Sequence, residues 1–82
     1  MTHFLYFGRI SDVTGCTEED HDLPADVTSI PALRHWLDTR FGATGALQDL
    51  SVRIALDSQI ALEDQALSAP REIALMPPVG GG

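Results

Sequence analysis

The chain opens on an alternating stretch, HFLYFGR, with Phe4 and Tyr6 on one side and His3, Leu5 and Phe7 on the other. A period of two built on aromatic side chains predicts a β-strand. Gly8 to Thr17 holds turn formers and leaves room for one short helical turn. Glu18 to Leu23 then returns as a weak, acidic strand suited to a sheet edge. The one long helical pattern runs from about Ile30 to Phe41, where Ile30, Leu33, Leu37 and Phe41 recur at helical spacing and Trp36 widens the apolar stripe. Ser29, or Thr28, can cap this helix, and Pro31 falls in its first turn, where a missing N–H is harmless. Gly42 stands where a left-handed residue would end it.

Beyond a loop, Val52, Ile54 and Leu56 alternate with Arg53 and Ala55, which predicts another strand. Asp57-Ser58 is a turn candidate leading into a short strand at Gln59 to Ala61, and residues 62–69 carry no regular pattern. Glu72 to Met76 makes a last strand. Pro77 and Pro78 stop it, since neither can donate a ladder hydrogen bond. The predicted order is β-β-α-β-β-β, an α+β arrangement in which one main helix covers one sheet.

Composition narrows the function classes. Eighty-two residues with 44% apolar content allow one domain with one modest core. No apolar run is long enough for a membrane span, and the N-terminus lacks the pattern of a secretion signal. The expected setting is the cytoplasm. Twelve acids against five arginines give a formal charge of −7, which disfavours nucleic acid and suits a partner with a basic face. Lysine is absent, so no side-chain amine of this chain can accept an isopeptide bond.

Candidate chemistry within the domain is sparse. His3, His21 and His35 fall in different elements without ligand spacing, so no metal site is expected. Cys16 has neither a histidine nor a basic cluster near it in sequence. Glu18, Glu19, Asp20 and Asp22 form a charge run that is most simply a solvated strand and loop, or a docking surface for a basic partner. No nucleophile–base pair stands out. What remains is the ending, MPPVGGG. A glycine run is costly to order, so it is either a frayed tail or a carrier of a working carboxylate. From Pro77 to Gly82 it would reach about 20 Å, with two prolines extending its base. A carboxylate at its tip needs activation, for instance as an acyl-adenylate, before it can accept sulfur or join an amine.

With these elements and this tail, the chain resembles the MoaD family within the MoaD/ThiS superfamily. The resemblance rests on FLYFGR, SIPALR, IALDSQIALEDQALSAPREIALMPPVGGG and above all PPVGGG. Two departures are the turn SAPRE, where the family often has an Asp-Gly-Asp-Glu-like turn, and glycine at position 80. The resemblance implies a ubiquitin-like β-grasp fold, with a mixed sheet of four to five strands over residues 1–76 and a flexible Gly-Gly tail over 77–82. It implies the role of sulfur carrier subunit of molybdopterin synthase. Gly82 would be adenylated by a MoeB-like enzyme using ATP and Mg²⁺, then converted by a sulfur donor to a thiocarboxylate that passes sulfur to a cyclic pterin monophosphate precursor. The chain would bind no cofactor itself. Pro77, Pro78, Val79, Gly80 and Gly81 would enter the active sites of partners. A MoaE-like large subunit would dock on Phe7, Ile60 and Met76, in a heterotetramer of two large and two small subunits. The alternatives are a ThiS-like carrier for thiamine or another pathway, and a ubiquitin-like modifier conjugated through Gly82.

Overall fold

In the computed structural model, residues 1–78 are described. Five strands and two helices follow in the order β1 (Thr2–Tyr6), α1 (Ile10–Thr14), β2 (Glu18–His21), α2 (Ile30–Phe41), β3 (Arg53–Leu56), β4 (Gln59–Ile60) and β5 (Glu72–Met76). The strands form one mixed sheet in the spatial order β2-β1-β5-β3-β4. β1 and β5 are parallel at its centre, and the other pairings are antiparallel. This is the α+β, β-grasp arrangement that the resemblance implied.

Alternation decides which side chains face the helix. Phe4 pairs with Ile73 and Tyr6 with Leu75, while Ile54 and Leu56 lie across β5 from Leu75 and Ile73. All six are buried, and they form one core with Ile30, Leu33 and Leu37 of α2. Helix α2 begins where local chemistry directs: Ser29 is its N-cap, with the side chain accepting the Ala32 N–H at 3.2 Å. It ends at Gly42 with φ 61°, whose N–H returns to the Asp38 and Thr39 carbonyls.

The strand bounds differ slightly from the sequence expectation. β2 stops at His21 rather than Leu23, and β4 covers only Gln59–Ile60. The short helical turn is a five-residue helix, α1, which puts Ile10 into the core and closes on Gly15 at φ 79°. Asp57 and Ser58 both take positive φ, 49° and 72°, as a tight two-residue hairpin turn demands.

Two charged residues of α2 are buried, which the apolar stripe does not announce. Arg34, 2% exposed, donates to the carbonyls of Leu47, Asp49 and Val52 and to both carboxylate oxygens of Glu63. It thereby pins both irregular segments to the helix. Asp38 accepts the N–H groups of Gly45 and Leu47 and the amide of Gln48. Burial opposes its ionisation, but those N–H donors outweigh burial and hold its carboxyl below the usual range.

Candidate functional site

The parallel pairing of β1 and β5 brings the C-terminal ends of both strands to one end of the sheet. There the Phe7 N–H donates to the Leu75 carbonyl at 3.0 Å, the same bond that His3 makes to Arg71 where it pairs with Glu72. Continuing that register places Phe7 beside Met76. Both then lie on the face turned away from α2, since Phe4 and Tyr6 occupy the other. Phe7 is 47% exposed, and Met76 is half-buried.

The rest of that face follows from the ladder. Leu5 pairs with Ala74, Ala74 with Ala55, and Ala55 with Ile60, so these four form one row across the sheet. Ile60 is 55% exposed and stands two strand spacings from Ala74, about 10 Å. Between Ile60 and Leu5 the small, buried side chains Ala55 and Ala74 make a low floor. Phe7 and Met76 are thus neighbours, and Ile60 shares their face across the sheet. Leu5, half-buried on the same row, was not singled out by sequence reasoning, although it has the parity of Phe7. Arg53 lies opposite Met76 on this face.

The acidic run divides between the two faces instead of being uniformly solvated. Glu18 and Asp20 are on the outer face, where the Asp20 carboxylate meets His3 Nδ1 at 2.8 Å. That hydrogen bond outweighs the opposing effect of desolvation and raises the His3 pKa above its ordinary value. Glu19 points to the other face, accepting the Tyr6 hydroxyl and a bidentate pair from Arg40 at 2.6 and 2.7 Å. Arg40 in turn lies over the rings of Trp36 and Phe41. Burial, with Glu19 beside it, pushes the Tyr6 hydroxyl far above its usual pKa, so it stays a donor. This cluster ties the edge strand β2 to α2 and has no free nucleophile.

Cys16 sits half-buried against the core just after α1. Among the described residues no group of three or more His, Cys, Asp or Glu could hold a metal ion. No described helix is long and apolar enough to cross a membrane. Pro77 is half-buried and Pro78 exposed, directly after the last strand. Val79, Gly80, Gly81 and Gly82 lie outside the described residues.

Comparison with known proteins bears on the family and the fold. The model of the ThiS family matches residues 4–82. Among solved structures, one titled molybdopterin converting factor, subunit 1, from Pyrococcus furiosus superposes with a TM-score of 0.74 at 22% identity, covering 95% of this chain and 97% of that one. The SAMP1 protein of Haloferax volcanii matches at a TM-score of 0.65 and 26% identity, over 99% of this chain and 98% of its own. A second structure from that organism, small archaeal modifier protein 1, gives a TM-score of 0.69 at 24% identity, over 95% and 97%. With a family model spanning nearly its whole length, the chain belongs to the ThiS family of small ubiquitin-like sulfur carriers.

Proposed function

We propose that the chain is the sulfur carrier subunit of a molybdopterin synthase and acts through the carboxylate of Gly82. The observation that carries this is where β5 ends. It runs out into Pro77-Pro78 at the end of the sheet where Phe7 and Met76 stand, so a partner docked on that face receives the tail beside it. The family match extending to residue 82 and the PPVGGG ending support the same reading. In this division, residues 1–76 are the docking domain and 77–82 the working tail.

The chemistry is a cytoplasmic cycle. A MoeB-like enzyme transfers AMP from Mg²⁺-ATP to the Gly82 carboxylate and releases pyrophosphate. A sulfur donor displaces AMP and leaves a thiocarboxylate. The tail then enters a MoaE-like large subunit, where its sulfur passes to a cyclic pterin monophosphate precursor and the carboxylate returns. Glycines suit this role because a chain without Cβ atoms fits a narrow channel. Phe7, Ile60 and Met76 anchor the large subunit, in an assembly of two large and two small chains.

Deleting Gly82, or adding one residue after it, abolishes loading and leaves the thermal melt unchanged. Intact mass of the chain from cells with an active pathway reads this directly, since loading exchanges one oxygen for sulfur. Normal loading of a chain lacking Gly82 refutes the proposal. The likeness to SAMP1 favours a second reading, a protein modifier joined to other proteins through Gly82. Lysine conjugates of the chain in a lysate, without the sulfur-bearing terminus, would select that reading.

A further inference from the structure

The root of the tail meets the β1–α1 turn at Gly8. A Cβ built on Gly8 would stand 3.0 Å from Cγ of Pro77 and 3.7 Å from its Cδ. Both sides of this contact are tethered. Phe7, just before Gly8, is hydrogen-bonded to β5 through the Leu75 carbonyl. The Gly8 carbonyl accepts the Ser11 N–H at 3.1 Å and the Ser11 hydroxyl at 2.8 Å, which ties it to α1. Pro77 follows directly on Met76, the last residue of β5, and its ring fixes its own φ. The proline ring therefore packs over the side where Gly8 has no Cβ, and a side chain at position 8 makes the ring give by a few tenths of an ångström.

Turn geometry already favours glycine here, and the contact with Pro77 is a second, separate constraint. Gly8 has φ +53° and Gly15 has φ +79°, so both sit in the left-handed region. A Cβ at Gly15, however, meets nothing within 4 Å. The two positions share the backbone requirement, and only Gly8 has the proline above it. Asparagine tolerates left-handed backbone far better than most residues, so it separates strain from crowding.

We propose that Gly8 is a positioning residue for the tail: its missing side chain seats Pro77 on the β1–α1 turn and so sets the direction in which the chain leaves β5. This rests on the reading of Gly82 as the group that is loaded. The seat flanks Phe7 and Met76 but contains neither side chain, so disturbing it misaims a bound terminus while both anchors stay in place. Its mark is a change in kcat at constant KM.

The test compares Gly8→Asn with Gly15→Asn as the chain is adenylated by an enzyme that accepts the wild type, followed by ATP–pyrophosphate exchange. Gly8→Asn lowers kcat on the order of tenfold with KM unchanged, as misplacement of a reacting group does. Gly15→Asn keeps the wild-type kcat. In a Pro77→Ala background, which lacks the crowded Cγ, Gly8→Asn has no further effect. Wild-type kcat for Gly8→Asn, an equal loss for Gly15→Asn, or a penalty that persists without the Cγ overturns the proposal. Solution NMR scores the seat independently of activity, through the Gly8 Hα to Pro77 Hγ cross-relaxation and the Val79 amide dipolar coupling. If no adenylating enzyme accepts the wild-type chain, the proposed function falls. The seat is then judged on NMR alone: an unchanged Val79 coupling in Gly8→Asn overturns it, and a changed one supports it.

Discussion

Replacing Arg34 by alanine is the most informative perturbation of the fold, because one buried side chain holds two segments that have no regular structure. Its guanidinium donates to Leu47 O at 3.3 Å, Asp49 O at 3.0 Å and Val52 O at 2.6 Å, and to Glu63 at 2.6 and 2.9 Å. Alanine leaves the Leu47 and Val52 carbonyls buried without a donor, at roughly 1–3 kcal/mol each. Glu63 loses its partner too, but its side chain is 40% exposed, so water replaces much of that bond and its share is about 1 kcal/mol or less. The sum is on the order of 2–7 kcal/mol, a large fraction of the roughly 5–15 kcal/mol that holds a small domain. Urea denaturation of Arg34→Ala measures it. Glu63→Gln, which keeps an acceptor at the exposed end, should lose about 1 kcal/mol or less. Hydrogen exchange should locate the damage, with faster exchange of the Leu47 and Val52 amides than of β1. A loss under about 1 kcal/mol for Arg34→Ala would show that water satisfies those carbonyls and that the staple is not structural.

Other expected outcomes follow from the core, the charges and the outer face. Leu37 is fully buried in α2, so Leu37→Ala should cost on the order of 2–5 kcal/mol by urea melt, and a loss under about 0.5 kcal/mol would contradict its packing. Phe7→Ala or Met76→Ala should weaken binding to the proposed large subunit by roughly 1–2 kcal/mol with a smaller effect on folding than Leu37→Ala. Calorimetric titration checks this, and unchanged affinity with a large loss of stability would place these side chains in a second core. On the acid side, Arg40 holds Glu19 and Arg34 holds Glu63 below the ordinary glutamate value of 4.5. Depressed folded pKa values stabilise above the unfolded value, so stability should fall as pH drops below 4.5 through the folded values, and Glu19→Gln should flatten that slope. His3 is the opposite case: its hydrogen bond to Asp20 raises it from 6.5, so its contribution is full below 6.5 and lost as pH rises through the folded value. His3→Gln should remove that decline, and a decline that survives in melts across pH 6 to 8 assigns it to another group.

Local pattern alone identified α2 with a cap at Ser29 or Thr28 and its Gly42 stop, the separation of Phe4 and Tyr6 from the other face of β1, the turn at Asp57-Ser58 and the end of β5 at the prolines. Those features depend on residues within a turn or two of one another, where capping, alternation and the lost N–H of proline act directly. The proposed tail chemistry likewise rests on a contiguous motif, PPVGGG, and owes nothing to the fold. Pairing of the first strand with the last was available only by resemblance, because His3 and Glu72 meet across nearly the whole chain and no periodicity records a partner that far away. Burial of Arg34 and Asp38 was equally hidden. On a helical wheel both are ordinary charged positions, and they are buried only because the loops carrying Leu47, Val52 and Gly45 fold back to supply hydrogen bonds. The seat of Pro77 on Gly8 belongs to the same class: glycine in a turn is expected on backbone grounds, and only the three-dimensional return of β5 beside β1 brings a proline ring over the side where it has no Cβ.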